Sequence, residues 1–155
     1  MSQPNATTLH IHQASHKAII NWRGFSINAD ELVRFLQPSA SAIALNRVTG
    51  GDPSIILGQL IANGRIFLIN PNGIVFGPGA RVDVGGLLAT TLNMTDADFL
   101  AGRYIFQQAG ANLGSVINQG TITAAPGGFV ALSAPGVLNA GTITVHLGTV
   151  HLSSG

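Results

Sequence analysis

A unit that recurs every 21 residues is the feature that most constrains this chain. Residues 116–123, VINQGTIT, reappear as residues 137–144, VLNAGTIT. The same offset relates 127–133 to 148–154, and twice that offset relates 127–131 to 85–89. Internal repetition near this period is typical of a solenoid, in which each repeat buries its apolar face by stacking on its neighbours. We therefore look for function along the length or at the ends of the molecule, before looking for an enclosed pocket.

Composition narrows the functional classes. Hydrophobic residues make up 46% of the chain. Charged residues make up only 8%, whereas they make up about a quarter of an average protein. No apolar run approaches the roughly 18 residues of a membrane-spanning helix. A net charge of +1 provides no electrostatic footprint for nucleic acid or an anionic membrane. The absence of cysteine excludes disulfides and thiolate metal sites.

The repeat length predicts an all-β fold, a parallel β-helix with about 21 residues per turn. Three short strands with Gly and Asn corners fit one turn, and successive turns stack about 4.8 Å apart. Ile122 and Ile143 are then stacked inside, and Asn118 and Asn139 form an amide ladder at one corner. An antiparallel sandwich or barrel is the alternative, but it does not require segments to stay in register at 21 and 42 residues.

Three segments are harder to assign. Residues 28–36 permit a helical turn, but we favour a strand because strand-like sequences flank them. Residues 54–61 are the best candidate for a short helical stretch, with a strand as the alternative. The 21-residue rhythm breaks between about 93 and 115, where charge and aromatic content rise. We interpret the segment near 96–106 as a hairpin that leaves the solenoid and packs on one side of it.

Several motifs together carry a family resemblance. The most specific are residues 63–77, NGRIFLINPNGIVFG, and 98–104, DFLAGRY, supported by AIINW at 18–22 and NRVTGG at 46–51. With these motifs, most of residues 7–152 resembles the filamentous haemagglutinin N-terminal domain, or haemagglutination activity domain. This is the secretion (TPS) domain of large bacterial two-partner-secretion exoproteins. The chain departs from the family pattern in lacking a leader and part of the N-terminal cap strands, in ending early, and in its Gln37-Pro38-Ser39 corner, where some members carry a second Asn-Pro-Asn motif.

The resemblance implies a right-handed parallel β-helix at the N-terminal end of a protein that a Gram-negative bacterium secretes. In that family, POTRA domains of an outer-membrane β-barrel transporter recognise the domain in the periplasm. The domain then emerges at the cell surface or outside the cell and is thought to seed folding of the rest of the helix. Downstream regions are usually adhesins, haemagglutinins, haemolysins or toxins. We expect residues 1–155 to be one such domain, either part of a longer chain or a unit that stacks on another copy.

The resemblance also points to candidate residues for transporter recognition, with a purely structural role as the competing interpretation. The motif Asn70-Pro71-Asn72-Gly73 also suits a rigid corner. Pro71 fixes its own φ angle, Gly73 admits a positive φ angle, and the Asn side chains can form hydrogen bonds with the local backbone. The two roles are compatible. The candidate recognition residues are Asn70, Pro71, Asn72, Gly73, Ile74, Asn46 and Arg47.

Catalytic and metal sites have little support. His10 and His12 are spaced to share a strand face, but no acid or Cys accompanies them, so solvent-facing histidines are the better interpretation. Asp96 and Asp98 could share a face as the carboxylates of a polysaccharide-cleaving enzyme do, yet Arg103 offers a simple salt link. We therefore expect no enzyme activity, no metal and no cofactor.

One alternative function belongs to a different class. Exposed strand edges at both ends would let copies associate head to tail into a structural fibre, or the Thr- and Ser-lined flanks would bind host or cell-surface glycans. The secretion role predicts an outer-membrane transporter as the partner, and a gene for such a transporter next to this one would favour that role. No nucleic-acid partner is expected.

Overall fold

Short strands form almost the whole described structure. The computed structural model describes residues 2–5, 8–103, 114–146 and 148–154. These residues form strands and one short helix, whose bounds in chain order are β1 Ser2–Asn5, β2 Thr8–His12, β3 Lys17–Trp22, β4 Leu32–Leu36, β5 Ile43–Val48, β6 Ser54–Ile56, β7 Gln59–Ala62, β8 Arg65–Ile69, β9 Ile74–Phe76, β10 Arg81–Val84, β11 Gly86–Thr90, α1 Asp96–Leu100, β12 Ser115–Asn118, β13 Thr121–Ala124, β14 Phe129–Ala134, β15 Gly136–Asn139, β16 Thr142–Val145 and β17 Thr149–Ser154.

The strands stack into three sheets that run along the molecule. Sheet A has the order β1-β2-β4-β7-β10-β13-β16, sheet B the order β17-β14-β11-β8-β5-β3, and sheet C the order β15-β12-β9-β6. The chain visits A, B and C in turn, and neighbouring coils pair in parallel. The result is a β-solenoid of about six turns with about 22 residues per turn. The predicted parallel β-helix is confirmed. At the first edge, β1 pairs antiparallel with β2 and covers that side of sheet A.

Side-chain alternation explains how the coils hold together. Ile122 on β13 lies beside Val82 of one neighbouring coil and Ile143 of the other, and Ile122 is fully buried. The flanking Thr121 and Thr123 project outward, because successive residues of a strand point to opposite faces. Rows of this kind build one continuous apolar core inside the solenoid.

The repeat offset varies between sheets, which corrects part of the sequence alignment. Twice the 21-residue offset places Leu87 beside Phe129, whereas Leu87 pairs with Val130. A single 21-residue offset places Val130 beside His151, whereas Val130 pairs with Val150. Corners of unequal length absorb these one-residue slips. The slips matter because a shift of one residue would turn every side chain of the strand to the other face.

Two ambiguous segments form strands. Residues 32–36 are β4, as favoured from the sequence. The segment 54–61 is not helical, because its residues form β6 and most of β7. Buried Ser54, Ile56 and Leu60 alternate with exposed neighbours, which is the pattern of a strand.

The predicted hairpin near 96–106 is wrong over its first half. After β11 the chain does leave the solenoid, but residues 96–100 form the one-turn helix α1. Thr95 caps it, since its Oγ1 accepts a hydrogen bond from the backbone N–H of Asp98 at 3.2 Å. Buried Met94 and Phe99 then pack on a second apolar cluster on the outer face of sheet B, which contains Leu45 and Phe67. Residues 104–106 lie outside the described part of the chain.

Candidate functional site

Three successive coils meet at the corner between sheets B and C, which we call the B–C corner. In the first of these coils it is the loop 49–53, and in the second it is the motif Asn70-Pro71-Asn72-Gly73. In the third the chain leaves for α1 after Thr91 and returns at Gly114. Backbone hydrogen bonds join these layers, since Asn70 N–H donates to the Thr90 carbonyl at 3.0 Å. The candidate recognition residues therefore lie at or next to one corner of the solenoid.

Asn70 is fully buried, and its amide is used inside the protein. Its Nδ2 donates to the Asp52 carbonyl at 3.0 Å and to Ser54 Oγ at 2.9 Å. Its Oδ1 accepts the backbone N–H of Asn72 at 2.9 Å, which closes an Asx turn. A buried polar group is costly unless it is paired, and here both ends of the amide are paired. Asn70 thus ties its own turn to the loop of the preceding coil.

Asn72 also faces the loop, although it is only half-buried. Its Nδ2 donates to the Gly50 carbonyl at 2.8 Å and to Asn70 Oδ1 at 3.0 Å. Among the described residues, Asn72 Oδ1 accepts no hydrogen bond. The two amides of the motif therefore fix the exposed residues Gly51, Asp52 and Pro53 in one conformation.

The remaining residues of the motif shape the corner. Gly73 has φ +117°, a conformation that L side chains rarely adopt, and a Cβ there would lie 3.1 Å from the Ser115 carbonyl oxygen. Ile74 is fully buried in the core, and Pro71 is half-buried. A Cβ on Gly114 would approach the Pro71 carbonyl oxygen to 2.6 Å, so the returning chain lies directly against the motif.

Asn46 lies inside the solenoid, on β5. It is fully buried, and its Oδ1 accepts a hydrogen bond from Trp22 Nε1 at 2.9 Å. Its Nδ2 donates to the carbonyls of Ala44 and Phe67, each at 3.3 Å. This amide satisfies the indole of Trp22 within an otherwise apolar end of the core, so Asn46 itself is not available to a partner.

Arg47 points to the opposite face of β5, where it holds the segment that leaves the solenoid. Its guanidinium donates to the Asp96 carboxylate at 2.7 Å, to Asn93 Oδ1 at 3.2 Å and to the Met94 carbonyl. Lys17 on β3 adds a second hold, because its Nζ donates to the Phe99 carbonyl at 3.1 Å. Lys17, Trp22 and Met94 were not predicted from the sequence to be site residues. Trp22 belongs to the AIINW motif, whereas no local motif marks Lys17 or Met94.

The other predicted residues are distributed as follows. Asn118 Nδ2 donates to Asn139 Oδ1 at 3.0 Å at the corner between sheets C and A. Ile122 is fully buried, whereas Ile143, in the last described coil, is half-buried. The rings of His10 and His12 lie 6.4 Å apart, centroid to centroid. No group of three or more His, Asp or Glu side chains suited to a metal ion occurs in the part of the chain that the structure describes.

The predicted acidic pair is engaged in structural contacts. Asp98 accepts a hydrogen bond from Arg103 Nε at 3.2 Å, and Asp96 is paired with Arg47. Both contacts stabilise the α1 segment.

Within the described residues, no helix has the length and apolar character to cross a membrane. What the B–C corner offers chemically is a rigid, presented surface made of a loop, a proline ring and backbone groups.

The whole chain is similar to known proteins of one family. Residues 2–155 match the family model of the TPS secretion domain. The HMW1 secretion domain of Haemophilus influenzae, known from a crystal structure, superimposes with a TM-score of 0.93 at 35% sequence identity. That superposition covers 99% of this chain and 41% of that one.

Two relatives are heme/hemopexin-binding proteins of Haemophilus influenzae. One, from strain ATCC 51907 / DSM 11121 / KW20 / Rd, is 38% identical over 153 residues, covering 94% of this chain and 17% of the relative. The other is 45% identical over 94 residues, covering 61% of this chain and 10% of the relative. The chain therefore spans less than a fifth of either protein, and the similarity concerns that portion alone.

Proposed function

The chain belongs to the TPS secretion domain family, and from this membership we propose that an outer-membrane transporter recognises it through POTRA domains during export. Exoproteins of this family are secreted through the outer membrane. On this proposal the chain passes through the periplasm, meets the transporter there, and reaches the cell surface or the medium. Its task is to be recognised and exported, with no reaction to catalyse.

The observation that carries the proposal is the construction of the B–C corner. Four hydrogen bonds from the side-chain amides of Asn70 and Asn72 reach the loop and its neighbour Ser54, at 2.8 to 3.4 Å. Because the loop is already held in one conformation, it loses less conformational entropy when a partner binds. The motif then acts as a support, and Gly51, Asp52, Pro53 and the exposed part of Pro71 are the presented surface.

This division of roles refines the recognition residues inferred from the sequence. Asn70, Asn46 and Ile74 are fully buried, so they can influence a partner only through the shape that they maintain. Asn72 has an unengaged Oδ1 among the described contacts, and Arg47 is partly exposed. Within the predicted set, these two side chains and the exposed part of Pro71 are the candidates for direct contact.

A binding experiment tests the proposal. The purified 155-residue chain is titrated calorimetrically with the soluble periplasmic region of the transporter encoded with it. We expect saturable binding by folded chain, as judged by circular dichroism. An unrelated POTRA region of similar charge is the control. A folded chain that does not bind its own transporter region would contradict the proposal.

A second role, seeding further coils or stacking of copies, has support from the last described coil. Its core-facing Ile143 and Val145 are only half-buried, and Val150 and Leu152 remain 46% and 45% exposed. A further coil, from the same protein or from another copy, would cover these residues and pair the free edges of β15, β16 and β17. Sedimentation velocity over a concentration series separates stacking, which gives larger species, from a chain that stays monomeric.

A further inference from the structure

An aliphatic stripe lies on the outer face of sheet C. Ile55, Val75, Ile117 and Leu138 occupy equivalent positions on β6, β9, β12 and β15, and each is aligned with the next. On β6, β9 and β12 the residues on either side of these positions are buried, so the side chains of the stripe point outward, and Leu138 continues the row on β15. Leu138 is 54% exposed, Ile55 is 36% exposed, and the two between them are half-buried. With a coil spacing of about 4.8 Å, the stripe extends about 14 Å along the solenoid.

The other two outer faces differ from this one. Sheet A presents polar side chains in the corresponding coils, such as Gln59, Arg81 and Thr121 in one aligned row. Sheet B is apolar outside, but Met94 and Phe99 of the segment after β11 cover it. Within the described residues, the stripe of sheet C has no such cover. Contiguous exposed apolar surface of this kind usually marks an interaction site.

The position of the stripe connects it to the B–C corner. Val75 lies three residues after Asn72, and Ile55 lies two residues after the presented loop residue Pro53. The loop and the stripe are therefore parts of one surface. The four strands of sheet C carry no charged residue, so a partner that covers them must present an uncharged, apolar face.

We infer that this stripe is the second half of the transporter-docking surface, covered by an apolar face of the periplasmic region of the transporter. The inference rests on the proposed function. Size argues against a second copy as the occupant, because four partly exposed side chains supply far less than the roughly 800 Å² per partner of a stable interface. A small apolar contact suits a carrier that must release the chain during export. A lipid surface is also disfavoured, since no basic residue accompanies the stripe on these strands.

The test uses a triple variant, Ile55→Thr, Ile117→Thr and Leu138→Thr. Threonine has the β-branched shape that suits a strand, and it replaces apolar surface with a hydroxyl. The matched control is Ile61→Thr, a half-buried, outward-facing residue of sheet A. Calorimetry against the soluble periplasmic region is expected to show about tenfold weaker binding for the triple variant, and unchanged binding for the control. Thermal melts run alongside establish that both variants are folded.

The outcomes separate the two proposals. If the wild type binds and the folded triple variant binds equally well, the stripe is not part of the docking surface, and the proposed function still stands. No binding by the wild type would overturn both. A dimer in sedimentation that the triple variant abolishes, with transporter affinity unchanged, would assign the stripe to a second copy and overturn the inference. If the triple variant does not fold, Leu138→Thr alone replaces it, because Leu138 is the most exposed of the four, and about threefold weaker binding is expected.

Discussion

Arg47 and Asp96 stand 49 positions apart in the chain, and their side chains form an ion pair with an N–O distance of 2.7 Å. The pair joins a strand of the solenoid to the segment that leaves it after β11. Because the Asp96 side chain is 56% exposed, the ion pair itself contributes little in water. The stronger restraint is the bond from the same guanidinium to the Met94 carbonyl, which lies in a partly buried setting.

The first prediction follows from this division. Arg47→Ala should make the segment 94–103 open more easily, by about 2 kcal/mol, because hydrogen bonds from a charged donor contribute about 1.5 to 3 kcal/mol. Asp96→Asn, which removes only the exposed charge, should change the opening free energy by less than about 0.5 kcal/mol. Hydrogen exchange of the α1 amides measures both. Equal effects of the two substitutions would contradict the argument and show that the ion pair dominates.

The second prediction tests the faces assigned to β13 and β16. Ile122→Asp should lower the free energy of unfolding by at least about 4 kcal/mol, since it leaves a cavity and buries an unpaired carboxylate. Ile143→Asp should cost less, because Ile143 is only half-buried. Thr121→Asp, on the outward face, should stay within about 0.5 kcal/mol of the wild type. Urea unfolding followed by circular dichroism ranks the three, and a different order would contradict the assigned faces.

The repeat made the solenoid predictable, because only stacked coils require Ile122 to face Ile143 at a constant spacing. It did not predict the register of every sheet. Corner lengths differ from coil to coil, and Leu87 therefore pairs with Val130 where a fixed period places Phe129. The short helix was also missed, although Thr95 three residues before Asp98 is a recognisable capping signal.

The direction of the Asn70 side chain could not be predicted from local sequence. Turn propensity places Asn70 at a corner, but its partners Asp52 and Ser54 belong to the preceding coil, 18 and 16 positions away. Nothing in a single repeat specifies such contacts. They depend on how far the loop of one coil reaches under the next, which is a property of the stacked structure.

The third prediction concerns close packing at the B–C corner. Gly114→Ala would bring a Cβ to 2.6 Å from the Pro71 carbonyl oxygen, and relieving that overlap should cost about 1 to 3 kcal/mol. Gly51→Ala is the matched control, since its Cβ would meet no atom within 4 Å. That control should be neutral or stabilise by up to about 1 kcal/mol through the unfolded state. Chemical denaturation measures both variants, and an equally stable Gly114→Ala chain would show that this contact is loose.

The last prediction separates support from recognition at the same corner. Asn70→Ser should destabilise the chain by about 2 kcal/mol or more, because the shorter side chain leaves Ser54 Oγ without a partner and removes the 3.0 Å bond to the Asp52 carbonyl, which keeps only the 3.4 Å bond from Asn72 Nδ2. Its effect on export therefore cannot be assigned to a lost transporter contact.

The substitution that isolates recognition is Asp52→Ala, because the Asp52 side chain is exposed while its carbonyl keeps the bonds from the two amides. We expect this variant to melt like the wild type, within about 0.5 kcal/mol, yet to bind the periplasmic region of the transporter about three- to tenfold more weakly. Asp30→Ala, which removes an exposed carboxylate at the corner between sheets C and A, should bind normally. Equal affinity of the Asp52→Ala and Asp30→Ala variants would mean that the loop is not read through this side chain, and would shift attention to Asn72 Oδ1 and the ring of Pro71.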